Sequence, residues 1–148
     1  MITINPKQVL MALTFFLVGA CTDKNEEVAN STYQGSASVT LFKSGAQISG
    51  VNGIHFGPEG MLYATSVIGS TISVVDTQAK KIVFEYGPDQ GVYGPDDVAF
   101  NSRGDFFWTS ILTGQVAGLL NDGTLVTAAQ LGPGVNPITF SDDDRLFV

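Results

Sequence analysis

Three oxygen-bearing side chains recur at matching places in this 148-residue chain. Asn52, Asp96 and Asn136 each stand four residues before a phenylalanine, at Phe56, Phe100 and Phe140, with spacings of 44 and then 40 residues. Side chains of this type offer hard oxygen atoms of the kind that suit Ca²⁺ or Mg²⁺, and the carboxylate of Asp96 adds a proton acceptor. Asn and Asp ahead of a strand also hydrogen-bond their own backbone and fix a turn. Residue type alone leaves both roles open.

Other chemistries find little in the sequence. His55 is the single histidine and lies between Ile54 and Phe56 with no second ligand nearby, so it reads as non-functional. Cys21 is the single cysteine, which excludes a disulfide within the chain. No G-x-S-x-G elbow, H-E-x-x-H pair, phosphate loop or dinucleotide fingerprint is present. Asp142, Asp143 and Asp144 lack the spacing of an EF-hand and read as a solvated turn. Tyr63, Phe107, Trp108 and Phe147 occupy equivalent or adjacent places and are expected to pack between repeats.

The elements that position these residues repeat with them. Asn52 to Tyr63, Asp96 to Phe107 and Asn136 to Phe147 share one pattern: a polar residue, an apolar alternation ending in Phe, a turn, and an apolar pair with an aromatic. Beyond the motif the register persists, setting Ile72 over Val116 and Ile82 over Val126. Apolar and polar residues alternate with the period of strands. The Gly57–Gly60, Asn101–Gly104 and Asn121–Gly123 segments supply turns. Each full unit is predicted to hold four short strands, about 53–57, 61–66, 71–76 and 81–86, then the same again from Asp97. No helix is predicted after the first twenty residues. Four antiparallel strands in 40–50 residues is the signature of a propeller blade, so the fold class is all-β.

Gly94-Pro95-Asp96-Asp97-Val98-Ala99-Phe100, followed by Asp105-Phe106-Phe107-Trp108, resembles the six-bladed β-propeller superfamily of gluconolactonase, the senescence marker protein regucalcin and the NHL-repeat proteins. The resemblance covers roughly residues 50–148. It implies that Asn52, Asp96 and Asn136 line one mouth of a central channel and ligate a divalent cation, Ca²⁺ or Mg²⁺. It also implies that Asp96 works as the catalytic carboxylate of a lactone or ester hydrolase. Asn52 departs from the family, whose first blade carries Glu there, which removes one anionic ligand. The alternative is a non-catalytic propeller that binds a protein or glycan at the cell envelope. About two and a half of six blades fit in residues 39–148, with repeats beginning near 52, 96 and 136, so the chain is expected to be the N-terminal fragment of a longer reading frame and no autonomous folding unit.

The start of the chain carries its own signals. Val9 to Val18 is an uncharged run too short to span a bilayer, which needs about 20 apolar residues. Val18-Gly19-Ala20-Cys21 follows and resembles a lipoprotein cleavage box. Residues 1–20 are therefore expected to be a bacterial lipoprotein signal peptide, with Cys21 lipidated and 21–38 a flexible tether. Membrane attachment is expected through the lipid alone, in the cell envelope, with Thr22 after the cysteine favouring the outer membrane. Fourteen acids against seven bases disfavour nucleic acid as a partner.

Overall fold

The computed structural model describes residues 38–45 and 47–148. The signal peptide, the lipid site at Cys21 and the tether up to residue 37 lie outside the described residues. The chain divides into a unit Met1–Leu41, of which 38–41 are exposed and carry no strand, and a unit Phe42–Val148.

The second unit is all-β. Strands β1 (Val51–Phe56), β2 (Leu62–Ser66), β3 (Thr71–Asp76) and β4 (Lys81–Tyr86) form one antiparallel sheet in chain order. The strands β5 (Pro95–Phe100), β6 (Phe106–Ser110), β7 (Gln115–Leu119) and β8 (Leu125–Gln130) form a second sheet of the same design. The short pair β9 (Thr139–Phe140) and β10 (Leu146–Phe147) opens a third. These are two four-stranded propeller blades and the inner hairpin of another. The one helical element among the described residues is a 3₁₀ turn at Pro88–Gln90, between the blades.

Turn chemistry sets the repeat. Gly60 (φ 79°) and Gly104 (φ 83°) hold the left-handed position of the hairpin after the inner strand, which glycine adopts without a Cβ penalty. Asp144 takes the same place in the third repeat at φ 59°, and its two carboxylate oxygens accept from the Ser102 amide and hydroxyl of the blade before. The three consecutive aspartates are thus a turn that ties one blade to the next.

Burial is continuous along the middle strands β2, β3, β6 and β7 and fills the spaces between sheets. Tyr63, Ile72, Val74, Val92, Val98, Phe106, Trp108 and Ala117 make the core between blades one and two. Ala99, Phe107, Val116 and Ile138 make the core between blade two and the third hairpin. Phe107 meets Phe140 edge to face at 5.4 Å, within the separation at which aromatic pairs attract. Ile54 and Phe56, on the other face of blade one, stay 62% and 59% exposed.

Candidate functional site

Asn52 and Asp96 do not sit in loops ahead of their strands. They are the second residues of β1 and β5, and each strand loses register just after them, between Val51 and Ile54 and between Pro95 and Val98. Such an irregularity bends the strand and re-aims its side chains. Asn136 precedes β9.

The three residues line one open cleft of about 260 Å³, completed by Gly53 and Asp97. Asn52 donates its side-chain amide to Asp96 Oδ1 at 3.0 Å. Asp96 is only 3% exposed, and burial, aided by the charge of Asp97, pushes its carboxyl above the usual carboxylate range. A carboxyl raised in this way holds its proton more tightly than a solvated one.

The main chain around the cleft is held by hydroxyls. Thr65 of β2 accepts the Gly53 amide at 2.8 Å and donates to the Asp96 carbonyl oxygen at 2.5 Å. One repeat later, Thr109 of β6 accepts the Asp97 amide at 3.3 Å and donates to the Asn136 carbonyl oxygen at 2.5 Å. Asp97 accepts from the amides of Val98 at 2.9 Å and Ile138 at 3.2 Å, so it spans from its own blade to the third hairpin. Gly53 is dictated by proximity: a Cβ there would stand 2.3 Å from Asp97 Oδ1 and 2.8 Å from the Asp96 carbonyl oxygen.

Sequence reading picked out Asn52, Asp96 and Asn136 but missed Thr65, Thr109 and the spanning role of Asp97. The signal for the threonines was available in their matching positions after the inner hairpins. His55 lies away from the cleft, with its ring 5.5 Å from that of Phe100 and Nδ1 2.8 Å from the Phe56 carbonyl oxygen. Among the described residues no group of three or more His, Cys, Asp or Glu side chains gathers.

No protein-family model and no curated protein matches the chain. Among solved structures it is similar to virginiamycin B lyase from Staphylococcus aureus, with 25% identity, a TM-score of 0.55, and coverage of 74% of this chain and 36% of that one. A catalytically inactive form of that lyase with quinupristin matches at 21% identity and a TM-score of 0.55, over the same shares of the two chains. The hydrazine synthase of Kuenenia stuttgartiensis matches at 17% identity and a TM-score of 0.55, covering 77% of this chain and 31% of that one. The chain spans about a third of the length of these structures. The match is one of fold, and it identifies the described residues as part of a β-propeller.

Proposed function

We propose that this chain is an exported, lipid-anchored propeller enzyme of the gluconolactonase type that opens a small lactone or ester at the cleft around Asp96. The observation that carries the reading is a buried carboxyl with a raised pKa, held by Asn52 and facing a cleft that Asn136 and Asp97 complete. A carboxyl poised in this way can hold or release the proton that ring opening moves. The likeness to virginiamycin B lyase, a protein named as an enzyme, supports an enzyme rather than a scaffold.

A divalent cation belongs to this reading as its second element. The donors are hard oxygens, but the Asn52 amide presents its N–H to Asp96. Asp96 and the amide oxygen of Asn136 are the ligands this chain offers to Ca²⁺ or Mg²⁺. Asn52 joins them only when its amide is turned over. The envelope location rests on the sequence from Val18 to Cys21.

The test is a panel of small lactones and esters assayed with membrane-extracted protein, its Asp96→Asn variant and added Ca²⁺ or Mg²⁺. Turnover lost in Asp96→Asn, with folding retained, is the expected result. Activity per folded molecule that survives the change defeats the reading, and capture of an envelope protein or glycan in its place favours the scaffold. Mass spectrometry should find a diacylated peptide beginning at Cys21; a free thiol there removes the anchor.

A further inference from the structure

The blades are unlike at their two ends. Val51 pairs with Ser66 and Pro95 with Ser110, so the loops that follow β2 and β6, residues 67–70 and 111–114, stand at the same end as Asn52 and Asp96. Neither loop holds a charged residue. The inner turns at the far end, 57–61, 101–105 and 141–145, hold seven, among them Glu59, Arg103 and Asp143. Surface loops are ordinarily polar, which sets the uncharged end apart.

Ile68 and Leu112 are the large side chains of these two loops. They occupy equivalent places 44 residues apart and are 81% and 60% exposed. Each lies over a glycine at the entrance to an inner strand: a Cβ on Gly50 would stand 3.0 Å from Ile68 Cδ1, and one on Gly94 would stand 2.6 Å from Leu112 Cδ1. Gly50 and Gly94 come two residues before Asn52 and Asp96, no more than about 7 Å along the chain. Backbone contacts hold the loops there. Ser70 Oγ accepts the Gly94 amide at 3.2 Å. Ile111 donates its amide to the Gly94 carbonyl oxygen at 3.2 Å and accepts the Gly134 amide at 2.8 Å, so its loop bridges the entrances that lead to Asp96 and Asn136. Single exposed apolar side chains are ordinary on a protein surface. A pair that recurs in register, on the same kind of glycine and beside the same polar cleft, is a feature of the site.

We propose that the mouth takes lactones or esters that carry an apolar alkyl substituent, with Ile68 and Leu112 as the residues that hold it. This rests on the reading of the Asp96 cleft as a lactone or ester site. The cleft, at about 260 Å³, falls below the range of about 300–1,000 Å³ typical of ligand pockets, and its lining is asparagine, aspartate and glycine. It accommodates the ring or carbonyl, and what projects from the ring meets the rim next. Tyr93, 51% exposed beside Gly94, adds to the apolar surface there. The two loops offer no cation to an anionic substituent. A hydroxylated one gains nothing from Ile68 and Leu112, whereas an alkyl one leaves water.

Calorimetric titration of the full, membrane-extracted chain with 5-alkyl-2-pyrrolidinones, whose ring copies a γ-lactone but resists hydrolysis, tests the proposal without turnover. Full burial multiplies affinity about fourfold per methylene. An open rim that covers half of that surface gives about twofold, so affinity should rise about thirtyfold from the methyl to the hexyl compound. Ile68→Ser combined with Leu112→Ser should flatten the series to within about threefold, and methionine at both positions should restore it. Melting followed by Trp108 fluorescence checks that each chain is folded. Should the double serine variant melt early, Ile68→Ser alone should weaken the hexyl compound about fivefold. All chains are titrated in one detergent, so partitioning of the ligand cancels between them. No detectable binding, a flat series in the wild type, or an equally steep one in the serine variants would overturn the assignment. Lactone turnover measured in parallel keeps the two readings apart: turnover with a flat series removes the rim and leaves the lactonase, whereas a steep series that the serine variants flatten, without turnover, removes the lactonase and leaves the rim.

Discussion

The hydroxyl of Thr65 in blade one holds the main-chain carbonyl of Asp96 in blade two at 2.5 Å, and it does so while accepting the Gly53 amide of its own inner strand. A single buried hydroxyl therefore sets the distance between the inner strands of neighbouring blades at the mouth. Thr65→Val keeps the volume and removes the hydroxyl. It should cost about 1–3 kcal/mol, because the Gly53 amide and Asp96 carbonyl lose their partner in a buried place. Thr65→Ser should recover most of that. Urea unfolding followed by Trp108 fluorescence measures both, and an unchanged midpoint for Thr65→Val would show that the clamp carries no load.

Asp96 should make stability depend on pH in a particular direction. Its carboxyl is raised in the folded chain by burial and by Asp97, so the folded state binds the proton more tightly than the unfolded one. Stability from this group is therefore greatest at low pH and falls as pH rises from the ordinary carboxylate range through the raised value. Asp105 works the other way. Asn101, the Asn121 amide and Arg103 lower its carboxyl, and its contribution is lost as pH falls. The difference between wild type and Asp96→Asn isolates the first effect: the variant should gain on wild type as pH rises through that window. A difference that is flat or opposite in sign would contradict the placement of Asp96.

Gly118 pairs with Phe107 across β6 and β7, and a Cβ on it would stand 2.4 Å from the Phe107 ring. Phe107 is buried and cannot swing aside freely. Gly118→Ala should destabilise by about 1–3 kcal/mol, the usual cost of overpacking. Combining it with Phe107→Leu should cost less than the sum of the two single changes, and thermal melts of the four chains give that coupling.

Trp108 is 1% exposed, and among the described residues its indole N–H has no hydrogen-bond partner. A buried donor left unpaired costs about 1–3 kcal/mol, which offsets part of what the ring contributes by packing on Phe106 at 5.6 Å. Trp108→Phe should consequently lose far less than Trp108→Ala, for which about 3–5 kcal/mol is expected. Comparable losses for the two would mean that the N–H is satisfied after all.

Much of the fold was legible because propeller strands are short, alternating and separated by turns that need glycine. The predicted strands at 71–76 and 81–86 coincide with β3 and β4. Where strand reading erred, it erred at the mouth: β1 and β5 begin at Val51 and Pro95, ahead of the expected starts, because an irregular pairing keeps Asn52 and Asp96 within the ladder. Periodicity cannot show such a slip. The equivalence of Asn52, Asp96 and Asn136 was visible from spacing, and the structure brings them to one cleft. What spacing could not show is that Asn52 turns its amide N–H toward Asp96 or that Glu59 folds back on Tyr63. Both depend on side-chain direction, and the first also crosses a blade boundary.

Ser66 reaches the Ser49 carbonyl and Ser110 the Tyr93 carbonyl, while Thr65 and Thr109 reach forward to the next inner strand. Each of the two complete blades described thus carries one hydroxyl contact to its own entrance and one to its successor, in the same frame. Sequence drift at these positions is therefore constrained chiefly by the two immediate neighbours of a blade.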